Sequence, residues 1–157
     1  MTTATKFTSL LAATGIAATS LAMATPAAAK PGPIRAAYNA WTGAIANANC
    51  QGTVVSSLYA KDGILLATFD DEVVGREDIT DYFDGLTCNE NLQVETDELS
   101  LGRDGDMGWA AGLYTFTFNG DDGETVEVPA RFTFVFEKKR NGWMIVNHHS
   151  SVRPESE

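Results

Sequence analysis

Two histidines and two serines stand in a row near the end of the chain, His148-His149-Ser150-Ser151 within "VNHHSSVRP", and the chain has no other histidine. An imidazole takes or gives a proton near neutral pH, and a serine hydroxyl both donates and accepts hydrogen bonds. Together they can hold a small oxyanion and move protons around it. In extended chain, successive side chains point to opposite faces, so His148 and Ser150 share one face while His149 and Ser151 share the other. Adjacent histidines on a strand cannot grip one metal ion, and a catalytic zinc typically uses three protein ligands. Two histidines cannot make a three-histidine site within one chain, whereas one histidine with carboxylates stays open as a metal site. A serine-nucleophile triad fits poorly, because no acidic partner for the imidazole is evident and no G-x-S-x-G elbow is present. The plain alternative is a polar strand end with no chemistry.

Such a face needs elements behind it. "GPIRAAYNAWTGAIANANC" places Ile34, Tyr38, Trp41, Ile45 and Ala48 at spacings of 4, 3, 4 and 3, one apolar stripe of a long amphipathic helix. "TVVSSLYAKDG" predicts a second, short helix stopped at Asp62-Gly63. "ILLATF" is a continuous apolar run that fits a buried strand. "GREDITDYFDGL" opens with acidic residues and puts Ile79, Tyr82, Phe83 and Leu86 on one face of a third helix. Beyond Cys88 the pattern turns to β. "NLQVETDELSLG" reads as a strand, and "GWAAGLYTFTF" alternates Tyr114, Phe116 and Phe118 with Thr115 and Thr117. "NGDDG" is a turn, "VEVPARFTFVFEKK" puts Phe132, Phe134 and Phe136 on one face, and the Asn-Gly of "RNGW" is a hairpin turn into "WMIVNHHSS". Helices first and long antiparallel strands after them predict an α+β domain. A strongly curved, mainly antiparallel sheet wrapped on the N-terminal helices makes a cone with an apolar mouth.

The first 29 residues carry one positive charge, Lys6, an Ala/Leu-rich core over residues 10–24, and small residues ending in Ala27-Ala28-Ala29. That is the pattern of a secretory signal peptide cut near Ala29, leaving one domain over residues 30–157 in the periplasm or outside the cell. The core is short and thin in large apolar side chains for a membrane anchor. Removing Lys6 with the leader leaves ten basic side chains against twenty-one acidic ones, a net charge near −11. Such a charge argues against nucleic acid and anionic membranes as partners, since both need positive patches. In an oxidising compartment Cys50 and Cys88, the only cysteines, form one disulfide by default, with two free buried thiols as the alternative. On the chain-entropy account a bridge over this loop contributes roughly 3–4 kcal/mol.

"LYAKDGILLATF", "EDITDYF", "GLYTFTF" and "ARFTFVFEKKRNGWMIVNHHSSVRP" occur in this order and at these distances. In that frame the chain resembles the nuclear-transport-factor-2-like superfamily, in the branch near the association domain of calcium/calmodulin-dependent kinase II. The closing "HHSS", after "ARFTFVF" and a hairpin ending in W-x-I-V, resembles the iota class of carbonic anhydrases. The resemblance runs from about Pro33 to Pro154. It implies a conical α+β fold, usually dimeric, and reversible hydration of carbon dioxide to bicarbonate. It also implies that some members work without metal while manganese is proposed for others; the ligand count above favours no cofactor over manganese or zinc. Carried over by motif, the resemblance assigns bicarbonate contacts to the hydroxyls of Thr68 in "LLATF", Tyr82 in "DITDYF" and Ser150, with His148 beside them; an ordinary imidazole pKa near 6.5 makes His148 the best proton shuttle. Ala67 stands where the family's common "LLPT" has proline.

Two other functions fit the same superfamily. An isomerase, cyclase or dehydratase acting on a larger apolar substrate needs a deep carboxylate or histidine base, whereas Asp70, Asp71 and Asp81 fall in loop or outward helix positions. An exported, non-catalytic association module needs no pocket chemistry at all.

Overall fold

The computed structural model describes residues 32–154; the leader read over residues 1–29 lies outside them. Three helices and six strands follow one another as α1 (Pro33–Asn47), α2 (Gly52–Ser56), β1 (Tyr59–Leu66), β2 (Glu72–Val74), α3 (Arg76–Leu86), β3 (Gln93–Asp104), β4 (Met107–Asn119), β5 (Thr125–Lys139) and β6 (Gly142–Val152). One curled sheet of order β2-β1-β6-β5-β4-β3 holds all six strands. Every pairing is antiparallel except β1 with β6, which is parallel. This is the α+β cone expected from the pattern. Among the described residues no helix is long and apolar enough to cross a membrane.

The concave face of the sheet and the helices share one core. The α1 stripe of Ile34, Tyr38, Trp41, Ile45 and Ala48 is buried as its spacing predicts, and Phe132, Phe134 and Phe136 of β5 face it. Tyr38 stacks on Phe132 at 5.3 Å between centroids, and Trp41 meets Phe134 edge-on at 4.9 Å. Each such fully buried large side chain contributes about 1.5–3 kcal/mol of transfer free energy, which holds α1 in place far more firmly than helix propensity does.

Three sequence expectations shift. The second helix ends at Ser56 rather than at Asp62-Gly63, and β1 starts at Tyr59, five residues before the predicted "ILLATF" strand. The reason is tertiary: the Ile145 amide donates to the Leu58 carbonyl at 2.9 Å and the Gly75 amide to the Gly63 carbonyl at 2.8 Å, so the sheet claims this backbone. Thr68 consequently lies two residues beyond β1 rather than in it. Directly after Asp70 and Asp71, read in loop positions, comes the short strand β2, whose Glu72 pairs with Leu66.

Cys50 and Cys88 form the disulfide expected, tying the α1–α2 connection to the end of α3. The same junction explains Gly52. A Cβ there would stand 2.3 Å from the Thr80 carbonyl oxygen and 2.5 Å from the Asp84 amide nitrogen, both backbone atoms of α3. Gly52→Ala is therefore expected to destabilise the protein by about 1–3 kcal/mol, as overpacking does. A lower urea midpoint with an unchanged slope checks this.

Candidate active site

β6 lies in the middle of the sheet, between β1 and β5, and its alternation sorts the histidine–serine run. His148 and Ser150 face inward at 2 % and 4 % exposure, while His149 is exposed and Ser151 half-buried on the other side. Register places His148 beside Leu65 of β1 and Phe134 of β5, and Ser150 beside Phe132. The imidazole stacks on the Phe134 ring at 3.8 Å and meets Trp41 edge-on at 5.1 Å.

Six polar tips form a connected chain in this apolar interior. The Trp41 indole Nε1–H donates to the Tyr59 hydroxyl at 3.1 Å. That hydroxyl is 2.7 Å from His148 Nδ1, and His148 Nε2 is 3.5 Å from the Tyr114 hydroxyl, a long and weak contact. Tyr114 donates to Ser150 Oγ at 2.6 Å, and Ser150 bonds to Thr68 Oγ1. Arg76 of α3 steadies this chain by donating from Nε to the Tyr59 carbonyl at 3.1 Å. No buried side-chain nitrogen or oxygen among the described residues lacks a partner.

A small hollow opens against this chain. Thr68, Tyr82, His148 and Ser150 line it together with Tyr114 and apolar walls that include Leu65, Phe83 and Phe116. All four residues singled out from the sequence thus meet at one space. Its free volume is about 10 Å³, room for roughly one water molecule. Tyr82 and Leu86 also wall a neighbouring apolar cleft of about 220 Å³, completed by Phe69, Gly85, Asn89 and Phe118. Phe69, at 46 % exposure, stands at its outer rim.

Burial sets the protonation states. Desolvation, with the charge of neighbouring His149 adding to it, pushes the His148 imidazole down to about 3, so it is neutral at neutral pH. The sequence reading of His148 as a shuttle rested on its ordinary value near 6.5, which a fully enclosed ring does not keep. Desolvation raises Tyr82 against an opposing hydrogen bond from the Phe69 backbone, and raises Tyr114 against its bond with Ser150. All the tyrosines of the site are therefore neutral hydroxyls. Asp70, Asp71 and Asp81 are exposed, and no carboxylate lines the hollow. Among the described residues no three or more His, Cys, Asp or Glu side chains converge on a metal position.

Sequence reasoning missed Tyr59, Tyr114 and Trp41 as members of the site. Tyr59 sat in a stretch read as helix, and the other two stood within apolar stripes. The available signal was chemical: each position carries a polar tip on an otherwise apolar ring, and such tips find a hydrogen-bond partner when buried.

The family model of the SnoaL-like domain matches residues 34–154. The chain belongs to the SnoaL-like family. This SnoaL-like chain is similar to a Xanthomonas campestris protein provisionally named a calcium/calmodulin dependent protein kinase II association domain, with 35% identity and a TM-score of 0.74 over 85% of this chain and 95% of that one. It is also similar to a protein from Streptomyces avermitilis, provisionally named a dehydratase of the NTF2-like family, with 17% identity and a TM-score of 0.70 over 78% and 95% of the two chains. An NTF2-like superfamily protein from Salmonella enterica gives 21% identity and a TM-score of 0.68 over 79% and 91%. The last two likenesses show the fold alone, which is NTF2-like. No curated protein matches the chain.

Proposed function

We propose that this SnoaL-like protein hydrates carbon dioxide reversibly to bicarbonate, without a metal ion, as an iota-class carbonic anhydrase. The observation that carries this reading is the hollow with its neighbouring cleft: a space of about 10 Å³, the size of one water, at which Thr68, Tyr82 and Ser150 present hydroxyls, beside an apolar cleft of about 220 Å³ that shares Tyr82 and has room for carbon dioxide. Carbon dioxide is small and apolar, and it gathers negative charge on its oxygens as water adds. Preorganised O–H donors in a site shielded from bulk water stabilise that charge as it forms. The wall donors do not suit manganese or zinc, because the one imidazole has both nitrogens engaged and the rest are neutral hydroxyls. No step of the proposal passes through a metal.

The chemistry runs as a relay. Water held in the hollow by the Thr68–Ser150 pair bonds through its oxygen to the carbon of carbon dioxide, which lies on the cleft side against Tyr82, and one C=O electron pair moves onto oxygen. That oxygen takes the proton of a hydroxyl from the Thr68–Ser150 pair, and the same hydroxyl takes a proton from the attacking water. The product is carbonic acid, which gives its proton to bulk water and leaves as bicarbonate. A relay through neutral groups needs no ionised water beforehand, which hydroxyls alone could not supply. Export into an oxidising compartment is part of the proposal, and the Cys50–Cys88 bridge supports it.

Stopped-flow hydration assays on exhaustively chelated protein test this reading. Hydration that survives chelation is the expected result. Activity restored only by added metal overturns the metal-free mechanism, and no hydration in either state overturns the substrate. A second reading, a dehydratase or isomerase on a larger apolar substrate, has the 220 Å³ cleft in its favour. Against it, the cleft walls carry no carboxylate and no imidazole to act as base.

A further inference from the structure

The six-membered hydrogen-bond chain has a direction, and its members dictate which. An indole is a donor only, a phenol has one hydrogen, and a neutral imidazole has one N–H and one acceptor nitrogen. Tyr59 already accepts the Trp41 indole hydrogen. Its own hydrogen then has one remaining partner in the chain, His148 Nδ1 at 2.7 Å. At the other side of the ring, the Tyr114 hydrogen goes to Ser150 at 2.6 Å, leaving only a lone pair to offer His148 Nε2. Both sides of the imidazole point to the hydrogen on Nε2 and the lone pair on Nδ1, but the Tyr114 contact, at 3.5 Å, is too long to hold that tautomer without the Tyr59 side at 2.7 Å.

We infer that Trp41 is a positioning residue that, through Tyr59, locks His148 as its Nε2–H tautomer and orients the whole chain toward the hollow. The far end follows by counting. Ser150 accepts from Tyr114, and the single bond between Ser150 and Thr68 uses one of their two hydroxyl hydrogens. One hydroxyl hydrogen is left over, on a residue that lines the hollow. The site therefore presents a donor to a carbonyl or carboxylate-type oxygen, and the hydroxyl that carries it keeps a lone pair with which to accept a proton. His148 cannot take a proton from the hollow unless every link reverses, and reversal would turn the Tyr59 hydrogen onto the indole N–H. His148 is thus a link that holds hydroxyls in place, while Thr68 and Ser150 handle the proton. The identity of the ligand rests on the hydration reading above; the polarity of the chain does not.

Nitrogen-15 NMR of the His148 ring in the resting protein, without carbon dioxide, reads the tautomer directly. The expected wild-type spectrum has Nε2 in the protonated range and Nδ1 in the hydrogen-bonded acceptor range. A protonated Nδ1 overturns the inference. In Trp41→Phe the two resonances should move toward each other as the tautomers mix, and unchanged resonances in a folded variant remove Trp41 from the role. If Trp41→Phe does not fold, Tyr59→Phe serves instead: Nδ1 should move to the position of an unbonded ring nitrogen, and no movement overturns the inference. A protein with the Nε2–H tautomer but no hydration activity would refute the proposed function and leave the chain's polarity standing.

Discussion

Tyr82→Phe and Ser150→Ala are each expected to lower the rate of carbon dioxide hydration by about 10²–10³-fold, the loss seen when one preorganised donor is taken from a developing oxyanion. The two variants differ in what else they disturb. Ser150 Oγ receives the Tyr114 hydrogen at 2.6 Å and bonds to Thr68. Alanine there strands a buried phenol and costs about 1–3 kcal/mol of stability beside the catalytic loss. Tyr82 is half-buried at the junction of hollow and cleft. Phenylalanine keeps its ring against Phe83, which it meets at 5.1 Å, and removes one hydroxyl. Its unfolding midpoint should stay near that of the wild type while its rate falls. Tyr82→Phe is therefore the cleaner of the two, and a full hydration rate in both variants would detach these residues from the chemistry.

The parts of the site that could be read from sequence are those that a local period reports. A period of two put His148 and Ser150 on one face and lined up Phe132, Phe134 and Phe136 beside them; a 4-3-4-3 spacing aligned the buried stripe of α1. Tyr59 shows where that reading stops. Its neighbourhood has an acceptable helical pattern, and only pairing with β6, 86 positions downstream at Ile145, draws it into the sheet. The hydrogen-bond chain is less legible still, since its links join residues 89, 82 and 36 apart. No local pattern distinguishes an indole or phenol that packs from one that also donates. Thr68 lies beyond its strand, at a position supplied by family resemblance and not by periodicity.

A loss of stability on the order of 5 kcal/mol is expected between pH 7 and pH 3 from His148 alone. In the unfolded chain this imidazole titrates near 6.5, whereas desolvation in the fold holds it down at about 3. Between those values the unfolded state binds a proton that the folded state refuses, so stability falls as pH falls through the window and is fully present above it. Each unit of difference is worth about 1.4 kcal/mol. The groups facing the ring offer no compensation: Tyr59, Tyr114 and Trp41 are neutral, and no carboxylate lines the hollow. Urea unfolding at several pH values, in wild type and His148→Gln, isolates the effect from the titration of the many surface carboxylates. The variant should be less stable at pH 7, because it disturbs the bonds to Tyr59 and Tyr114, yet lose less on acidification. Parallel curves for the two proteins would mean that the ring titrates inside the fold as it does in the unfolded chain, and burial would then no longer be what keeps His148 an uncharged link of the chain.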